Sequence, residues 1–200
     1  MKKTNLLLGI LIGLTILSCS KENTTCDDIL EPQGNEFTVN CNRYKMELGR
    51  LNINGNAYSG MASCKLSFVN NEKGNGFDFQ SNDKNINFVD IWLMIPSEYI
   101  LLEAIPEGTY VLNNETAGQP NQPQAPFDIA DWNRAIIGAG YVEDNDKFIN
   151  HTLYGSDFDE ATVVVSKSGL VYEIYYTLKI SETTIKGYYK GELEVVDKWN

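Results

Sequence analysis

Asp90 stands inside the apolar run FVDIWLMI, Phe88–Ile95. A carboxyl buried there would have its pKa raised into the range that suits proton transfer. The competing reading puts Asp90 at a strand end, solvated or hydrogen-bonded to a turn, and is preferred because no partner acid can be located from the sequence. Asp157, Asp159 and Glu160, with Asp144 and Asp146, are hard oxygen donors that could hold calcium. Their spacing lacks the glycine and terminal glutamate of a helix-loop-helix calcium loop, and solvated acidic loops are commoner. Trp132, Tyr175 and Tyr188 carry the flat rings on which sugars dock, Trp132 beside a proline-rich loop and the tyrosines on the outward face of a hairpin. Solvent-side tyrosines that merely cover their neighbours are also common in β-proteins.

Other chemistries lack their residues. No glycine-rich phosphate loop follows a strand, no G-x-S-x-G motif occurs, and His151 is the only histidine available to a serine nucleophile. A glycosidase needs only two facing acids, but 27 acidic residues make such pairs uninformative. There is no CxxC, and His151 has no cysteine or histidine near it, so neither a metal site nor a cofactor is expected.

These residues must be positioned by strands. From Tyr44 to Val196 apolar residues recur with period two between Gly and Asn, with no convincing helical spacing over ten or more residues. In Leu170–Ile180 one parity carries Leu170, Tyr172, Ile174, Tyr176, Leu178 and Ile180, and the other Val171, Glu173, Tyr175, Thr177 and Lys179. Thr184–Val196 alternates likewise, and a hairpin through Ser181–Thr184 would pair Ile180 with Ile185 and Tyr176 with Tyr189, placing Leu178 over Gly187 and Ile174 over Gly191. Thr162–Ser166 adds a third strand. Asn54-Gly55 is a two-residue hairpin signal, which requires a bulge at Gly49 or Arg50 and sets Tyr44, Met46 and Leu48 opposite Cys64, Ala62 and Gly60. Phe88–Ile95, apolar on both parities except Asp90, reads as a central strand covered on two sides. Ala135–Val142 and Lys147–Tyr154 are further strands. Gly118–Pro126 reads as a long extended loop leading into one helical turn near Trp132. The count is eight to ten strands, mostly antiparallel. The expected fold is all-β, an antiparallel β-sandwich or jelly roll, with a calycin-like β-barrel as alternative.

The N-terminus has a separate logic. Lys2 and Lys3 precede the mostly apolar Leu6–Leu17, too short for the roughly 20 residues a membrane helix needs, and polar residues follow Cys19. Ile16-Leu17-Ser18-Cys19 resembles the lipobox of bacterial lipoproteins. That resemblance implies cleavage before Cys19 and a diacylglyceryl group on its sulfur, a firm anchor when two or more chains are attached. Cys-Ser-Lys-Glu is similar to Bacteroidota lipoprotein tethers. The expected organisation is a signal peptide at 1–18, a lipidated cysteine and polar tether at 19–43, and a single β-domain at 44–200. The tether is polar apart from the short Phe37–Val39 run.

Sixteen basic against 27 acidic residues give a net charge of −11, and losing Lys2 and Lys3 with residues 1–18 takes it to −13. That excess, without a basic cluster, disfavours nucleic acid as a partner. After Cys19 three cysteines remain. Cys26 and Cys41, both in the polar stretch, are the preferred disulfide in an oxidising compartment, where closing a short loop would add about 3 kcal/mol, and Cys64 is then a buried free thiol. The expected function is a lipid-anchored protein of the cell envelope, at the outer membrane, that binds a glycan or a partner protein. The alternatives are a glycan-acting hydrolase with a carboxylate pair and a structural or fimbrial subunit. The segments VYEIYYTLKISETTIKGYYKGELEV and IPEGTYVL look like segments of uncharacterised Bacteroidota lipoproteins, which implies no known activity.

Overall fold

The computed structural model describes residues 30–39, 41–58, 60–70, 87–112, 135–142, 151–154 and 158–196. Among them lie twelve strands and one short helix. The strands are β1 (Glu36–Val39), β2 (Asn42–Lys45), β3 (Leu48–Tyr58), β4 (Met61–Val69), β5 (Phe88–Pro96), β6 (Gly108–Leu112), β7 (Ala135–Val142), β8 (His151–Tyr154), β9 (Glu160–Ser168), β10 (Val171–Ile180), β11 (Thr183–Gly191) and β12 (Leu193–Val196). Helix α1 (Glu98–Leu102) leads from β5 toward β6.

All twelve strands belong to one sheet, in the order β12-β3-β4-β5-β7-β6-β9-β10-β11-β1-β2, with β8 paired to β7. Pairing is antiparallel except at β12–β3 and β6–β7, so the sheet is mixed. Glu192 alone separates β11 from β12. The strand that lies against β10 and β1 therefore continues along β3, and the path of the sheet returns to its start. Ring contacts show the same curl. Phe68 on β4 stacks on Tyr176 of β10 with centroids 5.4 Å apart. In a flat sheet running through β5, β7, β6 and β9 these strands would lie roughly 24 Å apart, at ~4.8 Å per step. The all-β expectation holds: a curled, half-barrel sheet whose two halves face each other across a common core, an arrangement that joins sandwich and barrel character.

The core is the inward parity of each long strand. Leu51 and Ile53 of β3, Cys64, Leu66 and Phe68 of β4, Ile91 and Leu93 of β5, and Ile174, Tyr176 and Leu178 of β10 belong to one buried cluster. Tyr110 of β6 is fully buried, its hydroxyl donating to the Pro106 carbonyl at 2.8 Å. β5 is buried on both parities, as its sequence predicts for a central strand. β1 lies inside the stretch that composition assigns to the tether. Its Phe37 and Val39 are fully buried, and Phe37 stacks on Tyr44 at 4.9 Å, so that short apolar run docks on β11.

Two local expectations are corrected. β3 does not turn at Asn54-Gly55; it continues to Tyr58, with an irregularity in its pairing between Asn54 and Ala57, and Gly60 (φ 84°) lies in the turn to Met61. The single-residue bulge expected at Gly49 or Arg50 is absent, since Leu48 to Asn54 pair with Val69 to Ser63 without a shift, and the irregularity falls after Asn54 instead. Leu48 accordingly pairs with Val69 and Cys64 with Ile53, while Tyr44 pairs with Phe37. The second correction is the β10–β11 register. The hairpin has a two-residue turn, Ser181-Glu182, with Ile180 opposite Thr183 and Ser181 at φ 50°. Asp159 fixes this turn: its Oδ2 accepts from the Ser181 amide at 2.7 Å and its amide donates to the Lys179 carbonyl. A slip of two residues keeps every side chain on its face, so polarity alone cannot select between the registers. The slip puts Tyr176 opposite Gly187 and Tyr172 opposite Gly191, so the glycines make room for rings rather than for Leu178 and Ile174.

Candidate functional site

The outward face of β10 and β11 carries the most distinctive exposed side chains. The two-residue turn sets Tyr175 directly opposite Tyr188 and Glu173 directly opposite Lys190. Facing pairs on one side of an antiparallel ladder lie close enough for side-chain contact. The two phenol rings have centroids 4.5 Å apart and planes inclined at 44°, a shallow V rather than a flat platform. Tyr175 is 49% exposed and Tyr188 half-buried.

Glu173 organises the pair. Its Oε1 accepts from the Tyr188 hydroxyl at 2.8 Å and from the Tyr175 hydroxyl at 3.3 Å, and its Oε2 lies 3.5 Å from Lys190 Nζ. The hydrogen bond from Tyr188, joined by the nearby Lys190 charge, holds the Glu173 carboxyl below the usual range. Shielding from water, with the adjoining Glu173 charge, pushes the Tyr188 phenol up. Along the same row Val164 of β9, 41% exposed, stands opposite Tyr175, and Glu36 of β1 stands opposite Tyr188. The result is an apolar and aromatic strip with a fixed anionic acceptor and a cation at its border. Such a strip can hold a planar or ring-shaped ligand by stacking while hydrogen-bonding its hydroxyl groups.

A second constellation lies on the outer face of β4 and β5. Asp90 is 2% exposed and Lys65 6% exposed, and Lys65 Nζ donates to Asp90 Oδ2 at 3.2 Å. Loss of water raises the Asp90 pKa, opposed by Lys65 and by Ser67, which faces Asp90 across the ladder. Loss of water likewise lowers the Lys65 pKa, opposed by Asp90. Asp90 Oδ1 is buried and, among the described residues, has no hydrogen-bond partner. The strand-end reading of Asp90 is thereby corrected: it sits in mid-strand, away from solvent, because β5 is covered on both faces.

Of the residues singled out in the sequence, the fold brings together Tyr175 and Tyr188. Trp132, Cys19, Cys26 and Asp157 lie outside the described residues, as does Gly118–Pro126. Asp159 serves the β10–β11 turn, and Glu160, 74% exposed at its side chain, pairs with Lys179 at 3.2 Å. Among the described residues no group of three or more His, Cys, Asp or Glu side chains could hold a metal ion. Cys41 is disulfide-bonded, and Cys64 is a buried free thiol. Sequence reading missed Glu173, Lys190 and Lys65 as site residues. The first two were detectable, since each shares the outward parity of the tyrosine two residues away. Lys65 was not, because its partner lies on a strand whose register with β4 no local signal gives.

Compared with protein families, curated proteins and solved structures, the chain matches none.

Proposed function

We propose that this protein is a lipid-anchored component of the cell envelope whose β-domain binds glycan through the outward face of β10 and β11. The observation that carries the binding reading is the Tyr175–Tyr188 pair with Glu173 between its hydroxyls. Rings held at fixed tilt by a carboxylate lose little side-chain freedom on binding, and the same carboxylate accepts hydrogen bonds from sugar hydroxyls. The anchor reading rests on Lys2, Lys3, the apolar run and the Ile16-Leu17-Ser18-Cys19 pattern. It would hold the β-domain at the membrane surface, within reach of envelope glycans. Against a strand-exchanging subunit, the terminal strand β2 is four residues long with Arg43 and Lys45 exposed, features that discourage edge pairing.

A glycan array probed with the mature chain tests the reading. Wild type should bind at least one glycan class. Tyr175→Ala should lose that signal by tenfold or more, and Trp132→Ala reports whether the third candidate aromatic contributes. Equal binding by wild type and Tyr175→Ala, or none by either, removes the proposal.

A further inference from the structure

The Lys65–Asp90 pair is an unusual use of the outer face. On β4 the outward parity runs Met61, Ser63, Lys65, Ser67, Val69, and on β5 it runs Phe88, Asp90, Trp92, Met94. Met61 and Met94 pack with Ile137 at one end, and Val69 and Phe88 with Leu48 at the other. Between these two apolar patches sits the amine–carboxyl pair, side chains 7% and 3% exposed, with the Trp92 ring centroid 5.9 Å from Nζ. A buried ion pair is tolerable when its remaining oxygens are hydrogen-bonded, and among the described residues Asp90 Oδ1 has no such bond.

We propose that Lys65 and Asp90 condense into an intramolecular isopeptide bond that ties β4 to β5. The reacting groups are already at contact: Nζ lies 3.2 Å from Oδ2, which is bonded to the Cγ that would be attacked. Holding reactants at such a separation turns a bimolecular step into a unimolecular one. Burial brings the two pKa values toward each other, which eases passage of one proton from Nζ to Oδ2 along the existing hydrogen bond. The pair is then a neutral amine and a neutral acid. The Nζ lone pair attacks Cγ and the N–C bond forms. The Cγ–Oδ2 bond breaks, and Oδ2 leaves as water carrying the transferred proton and one more from Nζ. Oδ1 remains as the carbonyl oxygen of a secondary amide, so the orphaned carboxylate oxygen becomes a neutral acceptor, cheaper to bury without a partner. The Ser67 hydroxyl, opposite Asp90, is the group placed to relay the second proton. Exclusion of water from the site disfavours the reverse hydrolysis. The step needs no oxidant, metal or cofactor, and both charges disappear together.

Peptide mapping of the mature chain decides this. After denaturation, reduction and trypsin digestion, a condensed pair blocks cleavage at Lys65. It yields residues 51–73 joined to residues 85–134, lighter by one water than the two peptides separately. Fragmentation should locate the link at Lys65 and Asp90. Lys65→Met and Asp90→Leu should each abolish the joined species, and Ser67→Ala should lower its fraction. Because the readout follows denaturation, wild type alone settles the matter if a variant fails to fold. Recovery of residues 51–65 and 85–134 only as separate peptides of full sequence mass overturns the proposal, as does a joined peptide that persists in Lys65→Met.

Discussion

Gly187→Ala is the sharpest test of the β10–β11 register. A Cβ built on Gly187 falls inside the Tyr176 ring, against Cζ, Oη and Cε2. That ring has nowhere to go: it is buried, stacks on Phe68 at 5.4 Å and places its hydroxyl 3.4 Å from Met46 Sδ. Overpacking of a filled core costs about 1–3 kcal/mol, and displacement of a stacked buried ring belongs at the upper end. For a domain of this size, where 1 kcal/mol shifts Tm by roughly 2–4 °C, the expected loss is roughly 6–12 °C. Gly191→Ala is the internal control. Its Cβ meets the Tyr189 Oη at 2.8 Å, the far end of a side chain. It should cost about 1 kcal/mol, the low end of the same range. Urea unfolding followed by circular dichroism measures both. In a double-mutant cycle, Tyr176→Ala should remove most of the Gly187→Ala penalty, giving a coupling of about 2 kcal/mol, whereas Leu178→Ala should not. A Gly187→Ala protein within about 0.5 kcal/mol of wild type, the range of ordinary surface changes, would refute the packing. Coupling to Leu178 instead would restore the four-residue turn.

Four further outcomes follow, three from the geometry and one from the N-terminal sequence. The Glu173 carboxyl should titrate below the usual glutamate range in carbon-detected NMR, and Tyr188→Phe should move its midpoint upward; an unchanged midpoint contradicts the hydrogen bond as its cause. Because the folded-state pKa is depressed, whatever stability this carboxylate contributes is present above the unfolded pKa and is lost as pH falls through the folded one. Cys64, buried with its thiol pushed up by burial, should resist alkylation in the native state and react after denaturation; rapid native labelling contradicts its placement. Phe37→Ala should cost about 3–5 kcal/mol by chemical denaturation, since β1 fills the core beside β11, and a cost under about 1 kcal/mol would return residues 36–39 to the tether. Mass spectrometry of the native N-terminal peptide should find it starting at a lipid-modified Cys19, and an unmodified thiol behind an intact leader would remove the anchor.

What could be read from sequence was set by parity. The inward and outward faces of β10 and β11, the two-sided burial of β5 and the bounds of β7 are all present in the alternation of residue types. Register was not, because a slip of two leaves the alternation unchanged and the turn decides it. The four-residue turn would have set Tyr176 against Tyr189 and left Tyr175 and Tyr188 offset; the two-residue turn brings the latter two face to face. Asn54-Gly55 carried a strong turn signal that the fold absorbs as a bulge inside β3, because β3 gains further pairing out to Tyr58–Met61. β1 was hidden by its polar surroundings, although Phe37 and Val39 were visible. Asp90 was singled out for the right reason, its apolar surroundings, but Lys65 lies 25 residues away, and only the β4–β5 pairing brings the two together.

The binding claim is tested most directly by NMR of the mature chain with labelled tyrosine rings, titrated with glycans that score on the array. The account predicts that the Tyr175 and Tyr188 ring signals shift with saturable dependence on concentration, while those of the buried Tyr176 and Tyr110 stay fixed. Binding that leaves Tyr175 and Tyr188 unmoved would contradict it.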